Sequence, residues 1–126
     1  MPEVIKKVWG RERVIVNNEL YCGKILEIDC GGVSSLHYHP KKDETFYVLE
    51  GECVVLVGFL APSYETPILL NMAERAMLKG DTIRIGRHTA HRFYCTLDMK
   101  EGCKIIEFST SHSDEDVVRL EPSKKL

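Results

Sequence analysis

Apolar and polar residues alternate in short runs along most of this chain, and β-branched residues are frequent within them. Successive side chains of a strand point to opposite faces of a sheet, so such runs predict half-buried strands. Turn-forming Gly, Pro, Asn and Asp residues separate the runs, which favours an all-β sandwich or barrel. The predicted strands are Val14–Val16, Lys24–Ile28, Phe46–Leu49, Val54–Val57, Thr82–Ile85, His91–Cys95 and Lys104–Ser109.

Three stretches fit this alternation less well. The Glu50-Gly51 pair predicts a turn between two strands. The segment Leu70–Leu78 is rich in Ala, Met, Glu and Leu, which favour helices, so we expect a helical turn within a connection. The residues after Ser111 are polar and acidic, then basic, and predict a tail whose end is frayed.

The length of 126 residues predicts a single domain over 1–126, with a barrel core at about 20–110 and a polar tail at 111–126. A net charge of −2 gives no electrostatic case for a nucleic-acid partner, and no apolar run approaches the roughly 20 residues that span a bilayer. The charged N-terminus lacks a signal-peptide pattern, and the five cysteines include no Cys-x-x-Cys pair. We therefore expect reduced thiols and a cytoplasmic location.

Two histidines and one glutamate form the most informative cluster in the sequence. His37 and His39 are two residues apart, so on a strand they project to the same face. Residues 40–43 allow the chain to turn, after which Glu44 can return facing the same interior. With His91 the set offers three nitrogens and one carboxylate, which suit a divalent transition metal with coordination positions left open.

The same segment, Gly31-x5-His37-x-His39-x4-Glu44-x6-Gly51, matches the first signature of the cupins position for position. The resemblance implies a small double-stranded β-helix, or jelly-roll barrel, in which His37, His39, Glu44 and His91 bind one divalent metal ion. Mn, Fe, Co, Ni and Zn all tolerate these ligands.

The second cupin signature, Gly-x5-Pro-x-Gly-x2-His-x3-Asn, is only partly kept. Gly80 and His91 match it. Gly86 replaces the proline, His88 the inner glycine and Cys95 the asparagine, so the turn is altered while the ligand position is retained. We interpret His88 as a turn residue and keep Cys95 as an alternative ligand.

The flanking segments resemble the sugar-isomerase type of cupin, namely type II phosphomannose isomerase cupin domains and D-lyxose isomerases. The similar stretches are Lys7–Glu12, Tyr21–Lys24, Lys42–Gly51 and Ile106–Thr110, followed by Asp114–Leu120. The chain lacks the Tyr-Gly-Arg ending that is common in the phosphomannose group. The resemblance implies a sugar or sugar phosphate as the small-molecule substrate, and a homodimer that covers exposed sheet edges.

Several polar side chains are candidates for the chemistry itself. Glu107 lies amid apolar strand residues, and it is a general base if it faces the barrel or ordinary surface charge if it faces out. Lys24 is the second candidate for proton transfer, whereas His112 lies in the polar tail and is expected to be solvated. The residues assigned to substrate binding are Lys42, Phe46, Phe93 and Arg119.

The leading functional prediction is metal-dependent aldose–ketose isomerisation or epimerisation of a sugar or sugar phosphate. The metal would polarise the carbonyl of the open-chain sugar, and Glu107 or Lys24 would move the proton between neighbouring carbons. Two alternatives from other classes are an iron-dependent oxygenase or dioxygenase, which uses the same ligand set, and a non-catalytic sugar-binding cupin.

Overall fold

The computed structural model describes residues 3–61 and 68–126 of the chain, and in this part regular structure consists of twelve strands and one short 3-10 helix. The prediction of an all-β fold is confirmed. The first six strands are β1 (Glu3–Lys7), β2 (Gly10–Asn17), β3 (Cys22–Ile28), β4 (Gly32–Val33), β5 (Leu36–Tyr38) and β6 (Glu44–Ala61). The others are β7 (Ile68–Leu78), β8 (Thr82–Ile85), β9 (Thr89–Tyr94), β10 (Cys103–Ser109), β11 (Val118–Glu121) and β12 (Lys124–Lys125).

Two antiparallel sheets share the long strand β6. In one sheet the order is β1-β2-β3-β10-β6, and β8 pairs with the other edge of β6. In the other sheet β6 lies between β7 and β9, and β9 pairs in turn with β4 and β5. A strand that belongs to both sheets must bend, and this bend closes the fold around one interior.

The bend lies at the place where the sequence predicted a turn. Gly51 has φ +75° and lies inside β6, not between two strands. Ile105 of β10 pairs with Val48 whereas Lys104 pairs with Glu50, so β6 carries a bulge here. A Cβ atom on Gly51 would lie 2.2 Å from the carbonyl oxygen of Gly102. The glycine therefore allows both the left-handed conformation and the close approach of β10.

Two further expectations were wrong. The segment Leu70–Leu78 is part of strand β7 and not a helical turn, because pairing along β6 outweighs the helix propensity of its residues. The tail after Ser111 is not frayed. It forms a 3-10 turn at Asp114–Asp116 and then β11 and β12, which pair with β5 and β4.

The apolar core fills the space between the sheets. Many of its buried side chains come from alternate positions of β3, β6 and β10, in agreement with the predicted period of two, and β7, β8 and β9 contribute others. Trp9 closes one side, with its ring 4.8 Å from that of Phe93 in an edge-to-face arrangement. In the described part of the chain no helix is long and apolar enough to cross a membrane.

Candidate metal centre

Three histidines converge on one point of the barrel interior. His37 lies on β5 and His91 on β9, and the two residues are direct cross-strand partners. His39 follows β5 on the same face as His37, as the alternation predicted. One ring nitrogen from each of the three lies within 4.8 Å of the others, which is a spacing that one metal ion can bridge.

The backbone fixes which nitrogen of each ring is available. Nδ1 of His37 lies 2.9 Å from the carbonyl oxygen of Ser35, that of His39 2.8 Å from Asp116 and that of His91 3.0 Å from Thr89. A carbonyl only accepts, so each Nδ1 carries the proton and donates it. Each Nε2 therefore keeps a free lone pair, which is the arrangement found in metal-ligating histidines.

Glu44, the first residue of β6, supplies the carboxylate. Its Oε1 lies 2.7 Å from Nε2 of His91, and its Oε2 lies 3.9 Å from Nε2 of His39. Among the described residues, both oxygens and the His91 Nε2 are buried atoms without a directed hydrogen bond. Buried polar atoms left in this way are costly, and a cation between them would satisfy all three. The residues present therefore fit a divalent metal ion.

The protonation states agree with this interpretation. Burial lowers the pKa of His37 to about 3 and that of His39 to about 4, so both imidazoles are neutral near pH 7. Burial raises the pKa of Glu44, but His91 and Lys42 outweigh it and hold the pKa below its usual range. His37, His39 and Glu44 are thus in the form that coordinates metal. Burial lowers the pKa of His91, but the adjacent Glu44 carboxylate outweighs burial and raises it. Metal binding at His91 must therefore displace a proton that Glu44 favours.

Lys42 lies next to this cluster as a buried cation with three polar neighbours. Its Nζ lies 3.3 Å from Oε2 of Glu44, 2.8 Å from Oε2 of Glu107 and 3.3 Å from Nδ1 of His112. Burial lowers the pKa of Lys42, but the two carboxylates outweigh burial and raise it. Lys42 is therefore within ion-pair distance of both carboxylates, and its ammonium group donates a hydrogen bond to His112.

Glu107 faces the interior, which the sequence left open. It lies opposite Lys24 on β3 and Phe46 on β6, and its side chain is buried. Burial and the charge of Glu44 raise the pKa of Glu107, although Lys42 and Lys24 lower it in part. Lys24 is also buried, and its Nζ lies 3.6 Å from a carboxylate oxygen of Glu12.

A family model described as a cupin domain matches residues 24–106. The chain belongs to the cupin family. The predicted resemblance and barrel fold are confirmed by this match, which spans the histidine cluster, Glu44 and Lys42. No curated protein sequence matches the chain significantly.

Solved structures with the same fold have low sequence identity to this cupin. KdgF from Halomonas sp. is 17% identical, with a TM-score of 0.65, and the match covers 83% of this chain and 81% of that one. CapF from Staphylococcus aureus, a capsular polysaccharide assembling protein, is 15% identical with a TM-score of 0.76. Oxalate decarboxylase from Bacillus subtilis is 15% identical with a TM-score of 0.75. The match covers 96% of this chain and 34% of CapF, and 94% of this chain and 30% of the decarboxylase.

The altered second cupin signature has a local explanation. His88 occupies the position of the inner glycine and has φ 63°, in the left-handed region that glycine adopts without strain. Its side chain is exposed, and its backbone N–H donates to the carbonyl oxygen of His39 at 2.9 Å. Cys95 is buried in the apolar cluster and its thiol donates to the carbonyl of Glu52 at 3.5 Å, so it lies outside the histidine group.

The residues assigned to substrate lie in different surroundings. Lys42 lies in the buried ion-pair cluster, and the ring of Phe46 is centred 6.1 Å from that of His91. Phe93 packs in the apolar core against Trp9. Arg119 is exposed on β11, where its backbone is the cross-strand partner of His37.

Two residues of the C-terminal segment reach the site although no spacing pattern in the sequence placed them there. His112 was expected to be solvated, but its side chain is only 19% exposed and it contacts Lys42. Asp116 provides the carbonyl that orients His39. Neither residue belongs to a spacing motif, and only the path of the chain back across the barrel brings them there.

Proposed function

We propose that this cupin is a metal-dependent enzyme that isomerises or epimerises a sugar or sugar phosphate by proton transfer. The observation that carries the proposal is the inward carboxylate of Glu107. It lies 2.8 Å from Lys42, which itself lies 3.3 Å from the candidate metal ligand Glu44. A buried base next to a metal-binding cluster is what proton abstraction beside a carbonyl requires.

His37, His39, Glu44 and His91 would hold the ion. A bound divalent ion supplies Lewis-acid polarisation of the sugar carbonyl and makes the adjacent C–H acidic. Glu107 would take that proton and return it to the neighbouring carbon. Its raised pKa suits this role, because a base whose pKa is nearer to neutral both accepts and releases a proton readily.

Two lysines support this carboxylate. Lys42 keeps Glu107 on the metal side and offsets the negative charge of the two buried carboxylates. Lys24 is the cross-strand neighbour of Glu107 and is the second candidate for carrying the proton. The assignment to a sugar rests on the entry and exit segments that resemble sugar-isomerase cupins. The homodimer and the cytoplasmic location remain predictions.

The test is proton NMR of candidate aldoses, ketoses and their phosphates in deuterated water, with Mn or Co added. We expect deuterium to enter the carbon next to the carbonyl, even where net conversion is small. Glu107→Gln should abolish this exchange and retain bound metal, because it removes the base and not a ligand. Glu27→Gln is the matched control, since Glu27 lies on neighbouring β3 and pairs with Arg11 and Arg13 away from the cluster.

Other results would favour the alternatives. Oxygen consumption with another substrate, together with no sugar exchange, would replace the proposal with an iron-dependent oxygenase. If a sugar raises the melting temperature by mass action but never exchanges, the protein is a sugar-binding module. Full exchange activity in Glu107→Gln would assign the base to another residue, with Lys24 the first to examine.

A further inference from the structure

The C-terminal segment crosses the metal-binding end of the barrel as a strap, which we define as residues 110–117. Its start is fixed by two bonds between Thr110 and Asp43, because each residue's backbone N–H donates to an oxygen of the other, at 3.0 and 3.1 Å. Asn17 and His112 form a second reciprocal pair, at 3.1 and 2.9 Å. The strap is therefore held to two separate parts of the barrel before it reaches the histidines.

Asp116, near the end of the strap, makes contacts in two directions. Its backbone carbonyl accepts from Nδ1 of His39 at 2.8 Å. Its carboxylate accepts from the backbone N–H groups of Lys41 and Lys42, at 3.0 and 2.9 Å. One residue thus joins a candidate metal ligand to the loop that carries Lys42.

The local backbone sets the direction of Asp116. Residues 114–116 form a 3-10 turn whose N-cap is Ser113, and the Ser113 hydroxyl accepts from the backbone N–H of Glu115 at 3.3 Å. The following strand β11 pairs with β5, where Arg119 is opposite His37. The turn is held on both sides, so the carbonyl of Asp116 has a fixed position relative to His39.

We propose that Asp116 is a positioning residue for the metal centre. The Asp116 carboxylate binds the backbone N–H groups of Lys41 and Lys42, and this contact holds the Asp116 backbone carbonyl against His39. The proposal rests on metal binding by the histidine cluster, which belongs to the proposed function. Partners that orient a ligating histidine fix its tautomer and ring direction, and their loss costs roughly 10–100-fold in metal affinity. The group that orients His39 is the backbone carbonyl of Asp116. The Asp116 side chain therefore acts indirectly, by keeping that carbonyl in position.

A second consequence concerns Lys42. The same carboxylate fixes the backbone from which the Lys42 side chain reaches Glu44 and Glu107. The strap also supplies His112 as the third neighbour of the Lys42 ammonium. The C-terminal segment therefore organises both the ligand side and the proton-transfer side of the site, although it contributes none of the four candidate ligands.

The experiment is titration of the metal-free protein with Co²⁺, read from the visible d–d spectrum and from competition with a chelator. Asp116→Ala should weaken Co²⁺ binding about 10-fold and change the d–d bands, because the His39 ring is less well held. Asp116→Asn keeps one acceptor oxygen, so its Co²⁺ affinity should lie between those of the wild type and Asp116→Ala. The matched control is Glu115→Ala, since Glu115 lies in the same turn with an exposed side chain and should leave both readouts unchanged.

A second measurement separates positioning from general stability. Cobalt should transfer to an excess of chelator faster from Asp116→Ala than from the wild type, and the rise in melting temperature on adding Co²⁺ should shrink. Wild-type affinity and spectrum in Asp116→Ala would overturn the inference while leaving metal binding intact, even if the metal-free variant melts earlier. Equal weakening by Glu115→Ala would overturn it as well. A wild-type protein that binds no Co²⁺ would remove the metal-binding proposal itself.

Discussion

Two neighbouring rows of side chains inside the barrel have the same burial and opposite chemistry. Leu26, Ile105 and Val48 are cross-strand partners on β3, β10 and β6, and each is at most 2% exposed. Two residues further along β3 and β10, Lys24 and Glu107 occupy the same inward face, and they are at most 5% exposed.

Phe46 of β6 marks the boundary at which the interior changes from apolar to charged. In the second row Glu107 lies opposite Phe46, whose ring is centred 6.1 Å from both His91 and Phe93. Phe46 thus separates the polar site (His37, His39, Lys42, Glu44, His91 and Glu107) from the apolar core. In the core, burial of apolar area stabilises the fold. In the polar site, burial of charged side chains costs free energy unless each charge has a partner. Charges that are buried at this cost indicate a functional site.

The largest expected effect is the loss of metal from the polar site. His39→Ala should reduce bound metal from about one ion per chain to nearly none, because no neighbour replaces the lost Nε2. The loss of metal affinity should exceed the roughly 10–100-fold loss that is typical when a residue that only orients a ligand is replaced. Elemental analysis after dialysis measures this, with His88→Asn as the control because the His88 side chain is exposed and asparagine tolerates its left-handed backbone. Equal metal content in His39→Ala and wild type would remove His39 as a ligand, and His37→Ala should behave like His39→Ala.

The second prediction breaks the charge balance of the polar site without touching a ligand. Lys42→Met keeps the length of the side chain but leaves Glu44 and Glu107 buried together without their shared cation. We expect the metal-free protein to lose about 3–5 kcal/mol of unfolding free energy, the usual result of removing one partner of a buried ion pair. Urea unfolding measures it. The double variant Lys42→Met/Glu107→Gln should recover part of the loss, and a loss below about 1 kcal/mol would mean that water screens these carboxylates.

The third prediction concerns the apolar row. Ile105→Ala should lower the free energy of unfolding by about 2–5 kcal/mol, because a fully buried side chain leaves a cavity between β3 and β6. Metal affinity should remain that of the wild type, since Ile105 is not a member of the histidine group. Phe108→Ala, at a position that is 56% exposed on the same strand, should change stability far less. Loss of metal in Ile105→Ala would show that the two rows are coupled.

The sequence predicted the parts of this interior that local spacing determines. His37 and His39 are two residues apart on one strand, so their shared face follows from the alternation alone. The fold class and the family followed from the same pattern of runs and motifs. Glu107 could not be assigned a face, because its direction depends on pairing between β10, β3 and β6.

Long-range structure also explains the wrong expectations. Gly51 looks like a turn residue, yet it lies within strand β6, where it pairs with Cys103 of β10. Leu70–Leu78 has helical propensity, but a strand partner decides its conformation. His112 and Asp116 are separated from the first motif by about 70 residues, and no periodicity connects them to it. Sequence patterns therefore miss contacts between residues that are far apart in the chain, whereas they reveal residues that share a face of one strand.

The smallest expected effect comes from a charge cluster outside the interior, which shows how similar charges behave near water. Glu27 on β3 pairs with Arg13 and with Arg11, whose guanidinium lies 2.8 Å away. Partial burial raises the pKa of Glu27, but hydrogen bonds from the two arginines outweigh it and lower the pKa. The contribution to stability is therefore present above about pH 4.3, the ordinary glutamate value, and is lost as pH falls through the lower folded-state pKa.

We expect this contribution to be under about 1 kcal/mol, since ion pairs near the surface are screened. Chemical unfolding of wild type and Glu27→Gln at several pH values, at low and high salt, measures it. The difference between the two proteins should be greatest near neutral pH, shrink in acid and shrink again at high salt. A difference that grows as pH falls would contradict the direction of the Glu27 pKa. If Glu27→Gln lost as much unfolding free energy as is expected for Lys42→Met, burial would not distinguish the charges inside the barrel from those outside it.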